Sequence, residues 1–165
     1  MKFYDRINEA CKTHKRVALF VDMDGTIVEY NVFPEDFVTT KTEGVFLNAE
    51  PLDVVLGNLE KLSKIENLDI YILSLGKSFI IIEEKKKWLK KYAPFIKEEN
   101  YILLNKENGD YNKENREYVK SRKMIEKLNE YDYVILLDDD HKILKRTLDE
   151  IGKNGEVYHI SSATM

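Results

Sequence analysis

At 165 residues the chain has the length of one ordinary domain, long enough to bury a core and too short for two full-sized ones. Apolar residues at 43% and charged residues at 34% describe a globular protein and exclude a disordered one. A net charge of −4 excludes a domain that is basic as a whole, so Lys85, Lys86, Lys87, Lys90 and Lys91 around Trp88 read as a solvated helix face and not as a nucleic-acid patch.

In chain order, the opening segment MKFYDRINEACKTHKR is polar and amphipathic and lacks the apolar core of a signal peptide. No later run approaches the roughly 20 apolar residues of a membrane span. Cys11 is the single cysteine, so neither an intramolecular disulfide nor a cysteine-based metal site can form, and a reducing, cytoplasmic location is the expectation. A β-branched, apolar run predicts a strand over Val17 to Val21. The segment from about Glu29 to Glu50, with Phe33, Pro34, Gly44, Val45 and Phe46, breaks the rhythm and reads as a short flap, a loop or hairpin. A helix follows from about Asp53 to Glu66, with Val55, Leu59 and Leu62 on one face.

Further strands are predicted at Leu68 to Leu73, Tyr101 to Leu104, Tyr133 to Leu137 and Val157 to Ile160. Several are apolar on both faces, as interior parallel strands tend to be. Between them lies a helix around Trp88 and Tyr92, whose i,i+4 spacing reads as packing. Another runs from an Asn112 N-cap to about Glu130, with Tyr118, Ser121, Ile125 and Leu128 on one face. The last starts near Lys142, buries Leu144, Leu148 and Ile151, and ends at Gly152. Strands alternating with helices predict an α/β fold, a three-layer doubly wound parallel sheet, in one domain over residues 1–165.

The first strand runs directly into Asp22, Met23, Asp24, Gly25 and Thr26. Ligands of open α/β sheets bind at this carboxyl edge. Asp22 and Asp24, two apart on an extended chain, are expected to point the same way, and Gly25 permits a sharp turn. The strand Tyr133 to Leu137 likewise ends in Asp138, Asp139 and Asp140. Like charges this close are costly without a cation. An oxygen-rich cluster without cysteine or a histidine pair favours a hard ion, Mg²⁺ being the usual one with phosphate. His14 and His159 lack partners at ligand spacing, and His141 at most tunes the acidic run.

The run VDMDGT after a buried strand resembles the first signature of the haloacid dehalogenase superfamily. YILS, closing with Ser74, resembles its second, and LLDDD after YVILL its fourth, in the family's order. The resemblance implies a Rossmann-like fold and a Mg²⁺-dependent phosphomonoester hydrolase. Asp22 would be the nucleophile that becomes an aspartyl-phosphate, and Asp24 the acid that protonates the leaving oxygen and then activates water. Mg²⁺ would be held by Asp22, the Asp24 carbonyl and Asp139, with Asp138 behind them. Ser74 would donate to a phosphoryl oxygen, with Gly25, Thr26, Gly76 and Lys77 near the substrate. The family's lone lysine stands at the start of the helix before the last acidic strand; Lys113 fits best, with Lys120 as runner-up and Lys106 as a further candidate.

Thr26 and Ser74 are too close in sequence to enclose a full helical cap beside the intervening helix. The implied site is open, suited to a large phosphorylated substrate or closed by another subunit. GVFLNAEPLDVVLGNLEKL, KKKWLKKYAPF and YHISS look like small 5′-nucleotidase-type members, which implies a nucleoside monophosphate as substrate. The alternatives are a phosphatase of a phosphoprotein or polynucleotide end, a non-catalytic phosphate-binding module of the same fold, and a two-component receiver domain. Receivers carry the acidic pair on the first strand, the phosphorylated Asp later, and no DGT run.

Overall fold

In the computed structural model, residues 2–29, 44 and 46–164 are described, so most of the expected flap at 29–50 lies outside the described residues. Parallel strands β1 (Val17–Val21), β2 (Leu68–Gly76), β3 (Tyr101–Asn105), β4 (Tyr133–Asp138) and β5 (Gly155–His159) form one sheet in the order β3-β2-β1-β4-β5. Every residue of β1 and β4 is buried, which explains their unbroken apolar runs. The chain moves outward from β1 through β2 to β3, then returns to the other side of β1 as β4. That reversal makes the carboxyl ends of β1 and β4 the switch point of the sheet, where ligands of such folds bind. The flavodoxin-like order 2-1-3-4-5 of receiver domains is different.

Helices α1 (Phe3–Thr13), α2 (Asp53–Leu62) and α3 (Phe79–Tyr92) share one core with the odd-numbered residues of β1, through Ile7, Leu59, Trp88 and Leu89. Helices α4 (Val119–Glu126) and α5 (His141–Ile151) cover the opposite face with Met124, Ile143, Leu144 and Ile151. The result is an α/β sandwich of helices, sheet and helices, as the alternating pattern predicts. Cys11 is buried, and His14 stacks on Tyr133 with ring centroids 3.9 Å apart. Trp88 packs against Tyr92 at 4.9 Å.

Three local expectations are corrected. Asn112 does not begin a long helix: its Oδ1 accepts from the amides of Glu114 and Asn115 at 2.8 and 3.0 Å, closing a turn, and α4 starts only at Val119. Its buried face is Val119, Lys120, Ser121 and Met124, while Ile125 is exposed. On α5 the buried stripe is Ile143, Leu144, Thr147 and Ile151, and Leu148 faces solvent. The α2 helix stops at Leu62, where the Ser63 hydroxyl donates to the Glu60 carbonyl at 2.7 Å.

Gly152 ends α5 at φ +54°, in the left-handed region that favours glycine. Gly155 is required for space: a Cβ there would lie 1.9 Å from the Val134 carbonyl oxygen of the neighbouring strand. Gly155→Ala is therefore expected to lower stability by roughly 2–3 kcal/mol in urea unfolding, since a backbone oxygen cannot rotate away as a side chain does.

Candidate active site

Past Val21 the β1 chain stays beside β4, the Asp22 amide donating to the Leu137 carbonyl at 3.0 Å. Asp22 thereby arrives next to Asp138, the last residue of β4. The chain then turns sharply, with the amides of Thr26, Ile27 and Val28 all donating to the Met23 carbonyl at 3.0 Å and Gly25 at φ +75°. Carboxylate oxygens of Asp22, Asp138 and Asp139 lie within 4.8 Å of one another. Asp140 is used differently: its Oδ1 caps α5, accepting from the Lys142 amide at 2.9 Å, and its Oδ2 pairs with Arg116 at 3.2 Å. His141 stacks on His159 with ring centroids 4.4 Å apart beyond the acidic run.

Among the described residues, Lys120 is the lysine that reaches this cluster. Its Nζ donates to Asp22 Oδ1 at 2.8 Å and to Asp138 Oδ2 at 2.6 Å, and its side chain is only 2% exposed. Lys113 instead lies exposed in the turn that Asn112 organises, and Lys106 is exposed just beyond β3. Of the candidate lysines, Lys120, the runner-up, and not Lys113 is the one in contact with the acidic carboxylates. The helix begins seven positions later than Asn112, so that Lys120 and not Lys113 lies in its first turn. Glu150 of α5 braces that turn, accepting from Ser121 Oγ at 2.7 Å and pairing with Arg122 and Arg146.

Asp24 does not share its partner with Asp22. Past the strand end, its Oδ2 accepts from Lys85 Nζ at 2.5 Å, and Lys85 comes from α3 in the opposite helical layer. The same ammonium donates to Ser74 Oγ and to the Leu75 carbonyl, both at 2.8 Å. Lys85 is thus buried and not part of the solvated face, whereas Lys87, Lys90 and Lys91 are exposed. A signal for this was present in the sequence: Ile81, Lys85, Trp88 and Tyr92 recur at helical spacing, so Lys85 falls within the apolar stripe. Residues at the end of the 29–50 segment rest on the same helix. The Phe46 ring lies 4.9 Å from Lys85 Nζ, Glu84 accepts from the amides of Gly44 and Phe46, and Trp88 Nε1 donates to the Ala49 carbonyl at 2.9 Å.

Of the expected substrate-contacting residues, Lys77 is exposed beyond β2, while Gly76 is buried under Ile82. A Cβ at Gly76 would meet Ile82 Cδ1 at 2.6 Å, so the glycine serves the close approach of α3. Thr26 is fully buried, and its hydroxyl has no hydrogen-bond partner among the described residues.

The electrostatics show how poorly the acidic cluster is balanced. Burial, the largest influence, pushes the Asp22 carboxyl up to about 6; Lys120 opposes this, and Asp138 and Asp24 reinforce it. Asp139 is also raised, by burial and then by Asp22. Lys120 is held above the ordinary lysine value, because Asp22 and Asp138 together outweigh its own burial. Among the described residues, the cluster of three carboxylates has one ammonium in contact, on Asp22 and Asp138; its ligand atoms are all oxygen, and the chain has no second cysteine. This donor set fits a hard divalent cation such as Mg²⁺.

No family model matches the chain, and no curated protein matches it. Among solved structures, the chain is similar to the HAD domain of effector protein Lem4 from Legionella pneumophila, at 16% identity and a TM-score of 0.49. The similarity covers 88% of this chain and 86% of that one. No helix among the described residues is long and apolar enough to cross a membrane.

Proposed function

We propose that the chain is a Mg²⁺-dependent phosphomonoester hydrolase of haloacid dehalogenase type, acting through an aspartyl-phosphate on Asp22. The observation that carries this reading is the meeting of Asp22, Lys120, Asp138 and Asp139 at the sheet's switch point, beside Asp24 and Ser74. Lys120 takes Oδ1 of Asp22, which leaves Oδ2 as the attacking atom. Its positive charge also offsets the repulsion an anionic nucleophile exerts on phosphate. Asp22 Oδ2 forms a bond to phosphorus as the ester P–O bond breaks, and Asp24 gives its proton to the leaving oxygen. In the second half Asp24 takes a proton from water, whose oxygen attacks phosphorus and releases phosphate with Asp22 regenerated. Asp22, Asp139 and the Asp24 carbonyl would hold Mg²⁺, with Asp138 behind them, since Asp138 is tied to Lys120 and to the Asp140 amide at 2.9 Å. Bound there, Mg²⁺ supplies positive charge that neutralises the phosphoryl oxygens.

The substrate within this reading is a small phosphorylated molecule, with a nucleoside monophosphate as the first to try, and the compartment is the cytoplasm. The test is phosphate release from nucleoside monophosphates, sugar phosphates, phosphopeptides and 5′-phosphorylated oligonucleotides, with Mg²⁺ and with EDTA. Turnover of at least one class that disappears with EDTA is expected. Silence across the whole panel would leave a phosphate-binding module as the better description.

A further inference from the structure

Lys85 stands in the run EEKKK of α3, where sequence alone makes it one cation among several. Helical spacing places it on the apolar stripe with Trp88 and Leu89, and its side chain is 1% exposed. An ammonium that deep must place its protons well, because each one left unpaired costs the desolvation of a charged group. Lysine has three N–H donors and no acceptor, and the three find Asp24 Oδ2, Ser74 Oγ and the Leu75 carbonyl.

That arrangement dictates what its partners can do. Ser74 accepts from Lys85, so its own hydroxyl proton is free to be donated elsewhere. Asp24 gives Oδ2 to Lys85, so Oδ1 is the oxygen left for proton transfer. One cation therefore sets the direction of both groups, and its own protons are already engaged. We propose that Lys85 is a positioning residue, which holds Asp24 and Ser74 so that Asp24 Oδ1 and the Ser74 hydroxyl proton face the scissile phosphate ester. This rests on the reading of Asp22 as nucleophile and Asp24 as its acid–base partner. Lys120 serves the nucleophile from one helical layer, and Lys85 serves the leaving-group side from the other.

The alternative is a lysine that only fills and neutralises the space under α3. The two differ in which substrates suffer. A nitrophenyl phosphate has a leaving group stable as an anion and hardly needs a proton, whereas an alkyl phosphate does. For Lys85→Met and Lys85→Gln, kcat/KM is measured with Mg²⁺ across such esters. The expected loss is on the order of 10²-fold for alkyl esters and under about tenfold for nitrophenyl phosphate, as for loss of a positioned general acid. Equal proportional losses for both would overturn the assignment. The glutamine variant keeps an amide donor and is the readout if the methionine variant does not fold. A crystal structure of the glutamine variant supplies a measure independent of turnover: Asp24 and Ser74 are expected to turn away from their present positions. Were the unaltered protein to release no phosphate from any ester, the phosphatase reading would fail by itself. Asp24 and Ser74 keeping their places in that crystal structure would separately refute the positioning role.

Discussion

Asp22→Asn is expected to lower Mg²⁺-dependent phosphate release by a factor on the order of 10³ or more, because an amide oxygen forms no acyl-phosphate. The loss should be of kcat, with no aspartyl-phosphate trapped in rapid-quench experiments. The same change acts on stability with a sign that follows from burial. Asp22 titrates at about 6 in the fold, above the ordinary carboxylate value. A carboxyl raised in this way binds protons more tightly folded than unfolded, so its cost to stability is absent below about pH 4. The cost appears as pH rises from about 4 to about 6 and is constant above. Without divalent cations, the asparagine variant is therefore expected to be more stable than the parent at pH 7 by ~1–3 kcal/mol and equal to it near pH 4. Urea unfolding at both pH values measures this. Adding Mg²⁺ should raise the melting temperature of the parent and not that of the variant; a parent indifferent to Mg²⁺ would remove the metal from the reading.

Lys120→Met carries the second large effect, and here stability and activity fall together. Its ammonium is the cation that both Asp22 and Asp138 contact, and those carboxylates are 9% and 1% exposed. Removing one partner of a buried pair leaves uncompensated charge, a loss of about 3–5 kcal/mol. Urea unfolding at pH 7 without Mg²⁺ is expected to show that loss, and saturating Mg²⁺ to recover part of it, since a cation among the same carboxylates replaces the missing charge. Lys113→Met, which alters an exposed turn, is expected to leave stability within about 0.5 kcal/mol. A Lys120→Met variant as stable as the parent would mean that the cluster does not need its cation.

Periodicity and strand-end position are local properties, and what depends on them was legible from residues alone. The buried strands VALFV and YVILLD, the acids that follow them, the turn at Gly25 and the stop at Gly152 all show in short windows of sequence, because backbone geometry and apolar patterning act over a few residues. Helical spacing also sets Lys85 on the apolar stripe of α3, but the partners of the lysines were not legible in that way. All have the same side chain, and which carboxylate one of them reaches depends on where a helix begins and which layer it joins. The Asn112 turn delays α4 until Val119 and so brings Lys120, not Lys113, to a carboxylate 98 positions away in the chain. Lys85 and Asp24, 61 positions apart, meet because α3 packs over the face of the sheet beside the end of β1. Sequence determined the frame and its acidic edge; tertiary structure decided which charges balance that edge, since the cost of burying a charge is a property of its whole surroundings.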